Sequence, residues 1–226
     1  AVVEHSLAAG TQSAEGFNLV PGCNYYYSVT AANDDVLGSG RFHTSGPLRQ
    51  LYFEPRVRNI RDLGGWRTTD GKTVRFGRLF RGGQFNSGSS LTSLYINEDG
   101  IRAARAAGIG ADLDLRASGG VPSRSPLGED VAFCAPEFPG GYVSMLRDYS
   151  AGVAQAFSFV VDQLKAGRGV YFHCQAGRDR TGTMAMLLLG VLGVGEGDIS
   201  QDYELTYFAP AEWSMWTGNP DRKSVV

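Results

Sequence analysis

Cysteine, histidine and long apolar segments are all scarce in this 226-residue sequence, and neither sign of charge is in excess. The three cysteines and three histidines show no metal-ligand spacing, so we expect no metal site and no cofactor. The balance of 21 basic against 23 acidic side chains argues against a general attraction to nucleic acid, so any anion site must be local. The longest apolar run, Met184 to Val194, is too short to cross a bilayer, and we expect no transmembrane segment.

The character of the sequence changes near residue 48, which predicts two units, 1–47 and 48–226. The first unit is β-rich, with a Pro-Gly turn and two short runs of alternating side chains, "FNLVPGCNYYYSVTA" and "SGRFHTSG". The order of a few side chains resembles the tyrosine corner of a fibronectin-type or immunoglobulin-like sandwich: Leu19, Pro21, Tyr25 or Tyr27, and Val29. A complete sandwich takes about 100 residues, so this unit would be a partial module. The alternative is a β-hairpin packed on the main domain.

In the second unit, strand-like and helix-like patterns alternate. Strands are predicted at 77–83, 111–116 and 169–173. Helices are predicted at 97–110, at 145–167 with Gly167 closing it, and from the loop after residue 173 through Leu192. This order predicts an α/β fold, with a central sheet flanked by helices.

The stretch "HCQAGRDRTG", residues 173–182, lies between a predicted buried strand and a predicted helix. A loop of this length can point successive backbone N–H groups inward, and the helix adds its positive end, which together suit a dianionic phosphate. Gly177 permits close backbone approach, and Arg180 offers a planar fork for two phosphate oxygens. Cys174 at the floor of such a bowl is expected to have a lowered pKa and to act as a nucleophile toward phosphorus.

This stretch resembles the signature loop of the protein tyrosine phosphatase superfamily. Residues 58–84 closely resemble the opening of the bacterial tyrosine/serine phosphatases whose members also act on phosphoinositides. Residues 112–116 resemble their central aspartate-leucine-arginine strand, and 198–209 resemble the helix after the signature. The resemblance implies a tyrosine phosphatase-like central sheet flanked by helices, preceded here by the small β-rich segment. One departure is Arg178, where close relatives usually carry lysine.

The resemblance also implies roles for individual residues. Catalytic roles fall on Cys174 and Arg180, with His173 supporting the thiolate and Thr181 donating a hydrogen bond to the sulfur. Substrate-binding roles fall on Gln175, Ala176, Gly177, Arg178, Arg61, Asp62 and Arg116. More ordinary roles stay open for several of them: core filling by His173, a helix N-terminal hydroxyl in Thr181, helix capping or mutual pairing by Arg61 and Asp62.

The general acid has no obvious position, because the Trp-Pro-Asp sequence that supplies it in many tyrosine phosphatases is missing here. Asp179 is the nearest candidate, since it lies inside the phosphate loop beside Arg180. A bound phosphate would raise the pKa of this carboxyl, whereas Arg178 and Arg180 would lower it. Asp114 is the second candidate, and its ordinary alternative is a structural pairing with Arg116 or with the loop.

The function expected from these residues is a cysteine-dependent phosphomonoesterase that forms a phosphocysteine intermediate. Phosphotyrosine proteins and phosphoinositides or inositol phosphates are the expected substrates, because Arg178 adds positive charge to the loop. The alternative is a catalytically idle phosphate-binding or cell-surface interaction module. The β-rich front favours export to the periplasm or cell surface, with the cytoplasm as the other location, and the sequence leaves the oligomeric state open.

Overall fold

The computed structural model describes residues 6–14, 16–46, 48–55, 57–116, 120–138 and 142–208. The ends of both predicted units, 1–5 and 209–226, therefore lie outside the described residues. The strands are β1 (Asn24–Thr30), β2 (Val36–His43), β3 (Arg49–Gln50), β4 (Arg61–Asp62), β5 (Leu79–Gly82), β6 (Ile109–Asp114), β7 (Ala132–Cys134) and β8 (Gly169–His173). The helices are α1 (Glu98–Ala106), α2 (Tyr142–Arg147), α3 (Ser150–Lys165), α4 (Asp179–Val191) and α5 (Glu196–Glu204), followed by a 3-10 turn at Leu205–Phe208.

Six strands form a mixed central sheet in the order β3-β4-β5-β8-β6-β7. The pairs β5·β8, β8·β6 and β6·β7 are parallel, whereas the pairs β3·β4 and β4·β5 are antiparallel. In the register of the three central strands, His173 pairs with Gly82 on one side and with Asp114 on the other. The carboxyl ends of β5, β8 and β6 therefore meet at one edge of the sheet, directly before Cys174, as is usual for ligand sites in parallel sheets.

The central strand β8 is buried at all five positions, since helices cover both faces of the sheet. Val170 and Phe172 belong to one apolar cluster with Ala156 and Val160 of α3 and several side chains of α4. Tyr171 points to the opposite cluster, which contains Phe80, Ile109 and Ala104 of α1. Alternation along a single strand thus fixes two cores and holds the end of β8 rigidly between them.

Most of the predicted elements of the second unit are confirmed, and one is wrong. The pattern of residues 145–167 predicts one long helix, but the structure has two, α2 and α3. The break falls at Tyr149, whose backbone angles of φ −124° and ψ 45° are not helical. Close packing explains the position of α3, because a Cβ on Gly152 in its first turn would lie only 2.9 Å from the Glu137 carbonyl oxygen. The apolar periodicity itself lies within α3.

The β-rich segment forms an antiparallel hairpin, β1 with β2, as a separate two-stranded sheet. The Tyr25 hydroxyl accepts a hydrogen bond from the Val20 backbone N–H at 2.7 Å, which is the contact expected of a tyrosine corner. Asn18 joins this segment to the main sheet, because its backbone oxygen accepts from Arg49 Nη2 at 2.7 Å and its side chain pairs with the backbone of Tyr52. The division of the chain into two domains near residue 48 stays a prediction.

Within the described residues, no helix combines the length and apolar character needed to cross a membrane.

Candidate active site

The loop between β8 and α4 begins at Cys174 and reaches the helix at Asp179. Gly177 in this loop has a φ of +70°, and a Cβ there would clash with the backbone carbonyl of Gly82 at the end of β5. Only glycine satisfies both the left-handed conformation and this close approach. The loop is therefore pressed against the end of the neighbouring strand, which fixes its curvature beneath the N-terminus of α4.

The Cys174 side chain lies at the base of this loop and is 6% exposed. Burial raises the pKa of the thiol, but the Thr181 hydroxyl, the backbone N–H groups of Thr181 and Gly177, and the charge of His173 outweigh burial and lower it below the usual 9.0. The Thr181 hydroxyl is buried and makes no hydrogen bond among the described residues, so it is available to the Cys174 sulfur, whose pKa it lowers. The loop thus stabilises a thiolate, the reactive form of cysteine.

His173 lies behind the nucleophile and is held between two buried carboxylates. Its Nε2 is 3.1 Å from Asp112 Oδ1 and its Nδ1 is 3.9 Å from Asp114 Oδ1. Burial lowers the pKa of His173, but Asp114 and Asp112 outweigh burial and raise it above the usual 6.5. The Ser125 hydroxyl donates to the other oxygen of Asp112 at 2.7 Å. His173 is therefore biased toward the imidazolium form, whose charge favours the adjacent thiolate.

Asp112 and Ser125 are functional contacts that sequence reasoning missed. The signal for Asp112 was present, because positions 112 and 114 of an alternating strand lie on the same side of the sheet. Two carboxylates on the buried side of a strand need a buried cation, and His173 is in register opposite Asp114. No comparable local pattern indicates Ser125.

Asp114 and Arg116 form a buried ion pair that is fully engaged within the protein. Arg116 Nη2 and Nε contact the Asp114 carboxylate at 2.6 to 3.0 Å, and Arg116 Nη1 and Nη2 also bind Gln84, Asn86 and the Gly88 carbonyl. Asp114 is 0% exposed. These contacts match the structural pairing left open for Asp114, and the roles of Asp114 as general acid and of Arg116 in substrate binding stay predictions. The pair instead joins the end of β6 to the segment after β5.

Arg61 and Asp62 are also buried in internal contacts, although not with each other. Asp62 accepts from Arg49 Nη1 at 3.1 Å and from the backbone N–H groups of Gly64 and Gly77. Arg61 donates to the Asp202 carboxylate and to Asn59 Oδ1. Their polar groups face the protein interior, and contact of Arg61 and Asp62 with substrate stays a prediction.

The remaining loop residues lie together at the rim of the bowl. Gln175 is exposed and Ala176 half-buried, while Arg178 and Asp179 form a two-point contact, Nε to Oδ1 at 3.0 Å and Nη2 to Oδ2 at 3.2 Å. Arg180 Nη1 donates to the Leu115 carbonyl at 3.3 Å. The Asp179 carboxylate, the charge of Arg178 and the guanidinium of Arg180 are therefore all on the loop or the first turn of α4.

The described residues include no group of three or more His, Cys, Asp or Glu side chains that could hold a metal ion. All three cysteines are free thiols, and of these only Cys174 is fully buried. The arrangement is a cysteine thiolate surrounded by backbone N–H groups, a helix N-terminus and arginine. Chemically, it suits nucleophilic attack on a bound phosphate.

Comparison with known proteins identifies the class to which this fold and loop belong. The family model described as "Tyrosine phosphatase family" matches residues 54–223, three quarters of the chain, and the chain belongs to this family. The predicted superfamily is thereby confirmed, together with its α/β fold of a central sheet flanked by helices.

Three individual proteins that resemble this chain are each less than 30% identical to it. A Cupriavidus necator protein with the provisional name of a tyrosine-protein phosphatase is 29% identical over an alignment 170 residues long, and the match covers 65% of this chain and 59% of that protein. The chain thus spans less than two thirds of the length of this relative. Two crystal structures are similar. P. aeruginosa TpbA has 15% identity and a TM-score of 0.36, and the match covers 58% of this chain and 71% of that chain. Human DUSP28 has 14% identity and a TM-score of 0.33, and the match covers 47% of this chain and 68% of that chain.

Proposed function

We propose that this protein is a cysteine-dependent phosphomonoesterase that works through a phosphocysteine intermediate. The observation that carries the proposal is the environment of Cys174, a buried sulfur whose pKa is lowered by the hydrogen bonds of its loop despite the opposing effect of burial. A protein that only bound phosphate would have no use for a stabilised thiolate, so this observation favours the enzyme over the idle binding module.

The chemistry would proceed in two displacements at phosphorus. In the first, the Cys174 sulfur bonds to phosphorus while the bond to the leaving oxygen breaks, and the Asp179 carboxyl gives its proton to that oxygen. In the second, water attacks the phosphocysteine, the Asp179 carboxylate takes a proton from it, and the sulfur–phosphorus bond breaks to release phosphate. Arg180 and the N–H groups of the loop stabilise the charge on the phosphoryl oxygens throughout.

Asp179 is the proposed general acid because of its place and exposure. It is the first residue of α4, and its side chain is 36% exposed, so the carboxyl can meet a leaving group that enters from solvent. Asp114 has neither property, since both of its oxygens contact Arg116 inside the protein. Asp179 also contacts Arg178, so substrate binding at Arg178 would change the surroundings of the acid.

We propose phosphotyrosine proteins and phosphoinositides or inositol phosphates as substrates. Arg178 supports this choice, because it is a partly exposed cation at the rim whose charge is stabilised by Asp179. Tyr207 lies near this cation and is 60% exposed, so an aromatic surface is available beside it. Aromatic surface next to a phosphate bowl suits a phosphotyrosine ring, and the additional cation suits a second phosphate.

The test of the reaction is hydrolysis of p-nitrophenyl phosphate by the wild type and by Cys174→Ser. We expect activity in the wild type only, and a phosphoryl group on the Cys174 peptide when the reaction is quenched in acid and analysed by mass spectrometry. If the wild type is inert from mildly acidic to neutral pH yet binds phosphate, the idle binding module is the correct function.

The test of the substrate class is a kcat/KM panel of phosphotyrosine peptide, phosphoserine peptide, phosphoinositides and soluble inositol phosphates. Arg178→Ala should lower kcat/KM for the substrates with several phosphates more than for the phosphotyrosine peptide. An equal loss for every substrate would show that Arg178 does not recognise additional phosphates.

A further inference from the structure

A buried polar cluster lies beneath the phosphate loop, and its side chains have no part in the mechanism described above. Its members come from four segments of the chain: Asn59, Arg61, Arg81, Gly177 and Asp202. Asp202 of α5 is 1% exposed and Arg81 of β5 is 0% exposed. Placing two arginines and one carboxylate in the interior is costly, so the arrangement calls for a reason beyond packing.

The Asp202 carboxylate holds both arginines. Its Oδ1 accepts from Arg61 Nε at 2.9 Å, its backbone oxygen accepts from Arg61 Nη2 at 2.5 Å, and its Oδ2 accepts from Arg81 Nη1. Burial and the neighbouring charge of Arg61 lower the pKa of Arg81 to about 10, and the Asp202 carboxylate opposes both effects. Asp202 therefore permits two guanidinium groups to lie side by side under the loop.

Both arms of the cluster end on the same atom, the backbone carbonyl oxygen of Gly177. Arg81 Nη2 donates to it at 2.9 Å, and Asn59 Nδ2 donates to it at 2.8 Å. Arg61 Nη1 in turn donates to Asn59 Oδ1 at 2.6 Å, which orients the Asn59 amide. Two donors on one carbonyl fix the orientation of that residue in the loop.

The orientation of Gly177 matters because its N–H is one of the donors to the Cys174 sulfur. Gly177 has a positive φ and no side chain of its own to hold it, so its position depends on the surrounding contacts. Its carbonyl belongs to the next peptide unit, which the cluster holds, and the two units are joined at the Gly177 Cα. Contacts made by α5 and by the segment before β4 thus reach the nucleophile through a single residue.

We propose that Asp202 and Asn59 are positioning residues for the nucleophile, which hold the Gly177 carbonyl so that the loop stabilises the Cys174 thiolate. The inference deepens the proposed function, because it concerns the same loop, and it takes from that function only the identity of Cys174 as nucleophile. Neither residue touches substrate. Their effect is on the thiolate and on the chemical step.

The experiment compares Asn59→Gly and Asp202→Asn with wild type in a background where Cys23 and Cys134 are replaced by serine. The readout is the rate of Cys174 alkylation by iodoacetamide as a function of pH, which reports the thiol pKa without requiring phosphatase activity. Glycine is the suitable replacement for Asn59, because the residue has a φ of +52° that other side chains would strain. Asn18→Gly is the matched control, since Asn18 has a φ of +62° and bridges Arg49 and Tyr52 away from the loop.

We expect the alkylation midpoint to rise by about one pH unit in Asn59→Gly, a roughly tenfold loss of thiolate at a fixed pH below the midpoint, and to stay unchanged in Asn18→Gly. Asp202→Asn should also raise the alkylation midpoint. The rise in the double variant should be smaller than the sum of the two single rises, because both substitutions act through Gly177. Loss of the Asp202 negative charge alone would favour the thiolate and lower the midpoint. The direction of the midpoint shift therefore distinguishes positioning from a direct effect of charge.

The proposal is overturned if Asn59→Gly, folded by circular dichroism, has the same midpoint as wild type. It is also overturned if the Asp202→Asn midpoint falls. If Asp202→Asn does not fold, Asn59→Gly decides alone. The two proposals can also separate. If the wild type hydrolyses no phosphate ester but Asn59→Gly still raises the alkylation midpoint, the proposed function is contradicted and the positioning role is supported.

Discussion

Replacing Thr181 with valine removes the one side-chain hydroxyl that acts on the Cys174 sulfur, with little change of shape. A hydrogen bond to a charged group contributes about 1.5–3 kcal/mol, and one pKa unit corresponds to about 1.4 kcal/mol. We therefore expect Thr181→Val to raise the pKa of Cys174 by about one to two units, since the hydroxyl has no other partner among the described residues.

The assay is again the pH dependence of Cys174 alkylation, together with kcat for p-nitrophenyl phosphate. Thr181→Ser should restore the wild-type midpoint because it keeps the hydroxyl. Thr183→Val is the matched control, since the Thr183 hydroxyl donates to the Asp179 backbone oxygen at 3.0 Å on the same helix and leaves the sulfur alone. Equal midpoints in wild type and Thr181→Val would refute the reasoning that the hydroxyl stabilises the thiolate.

The same pKa shift makes stability depend on pH with a definite sign. Folding lowers the pKa of Cys174 below 9.0, so the thiolate contributes its full stability above pH 9.0 and loses it as the pH falls through the folded pKa. The difference in free energy of unfolding between wild type and Thr181→Val should accordingly be largest at alkaline pH and shrink toward acid pH. Urea unfolding at several pH values measures it.

Two further predictions concern the acid and the buried imidazole. Asp179→Asn should lower kcat by about 10² to 10⁴ for an alkyl phosphate, and by less for p-nitrophenyl phosphate, whose leaving group needs no proton; an equal loss for both would indicate that Asp179 only positions the loop. His173→Asn should lower the free energy of unfolding by about 3–5 kcal/mol at pH 6, because it leaves the buried Asp112 carboxylate without its cation. The charged His173 contributes its full stability below pH 6.5 and loses it as the pH rises through its raised folded pKa. The free energies of unfolding of wild type and variant should therefore converge as the pH rises. Parallel curves of stability against pH would contradict the charged pairing.

Local patterns predicted the second unit well where one element packs on its neighbour in sequence. The buried run of β8 falls where the pattern places it, because strand periods report burial directly. The helix predicted at 97–110 and the strand predicted at 111–116 are present with shifted ends, since α1 ends at Ala106 and β6 begins at Ile109. The prediction of one long helix was wrong because the apolar periodicity lies within α3 and reports nothing about Tyr149, where the backbone leaves the helical conformation.

The candidate site divides in the same way. Cys174, Gly177, Asp179 and Arg180 lie within seven consecutive residues, so their chemistry could be inferred from spacing alone. Arg61, Asp62, Arg116 and Asp114 were expected at the substrate because they accompany the signature in similar sequences. Whether such a side chain faces the substrate or the interior depends on its partners, and those are distant in the chain.

The sequence by itself determined the nucleophile and its loop, because a strand, a short glycine-containing turn and a helix N-terminus create a phosphate bowl through contiguous backbone. Only the tertiary structure decided what supports that bowl. Arg61 meets Asp202 across 141 residues of sequence, and Asn59 meets Gly177 across 118. Such pairs arise because the order β5-β8-β6 brings separate strand ends to one edge and α5 folds back beneath them, and a buried charge then takes whichever partner this topology places within hydrogen-bonding distance.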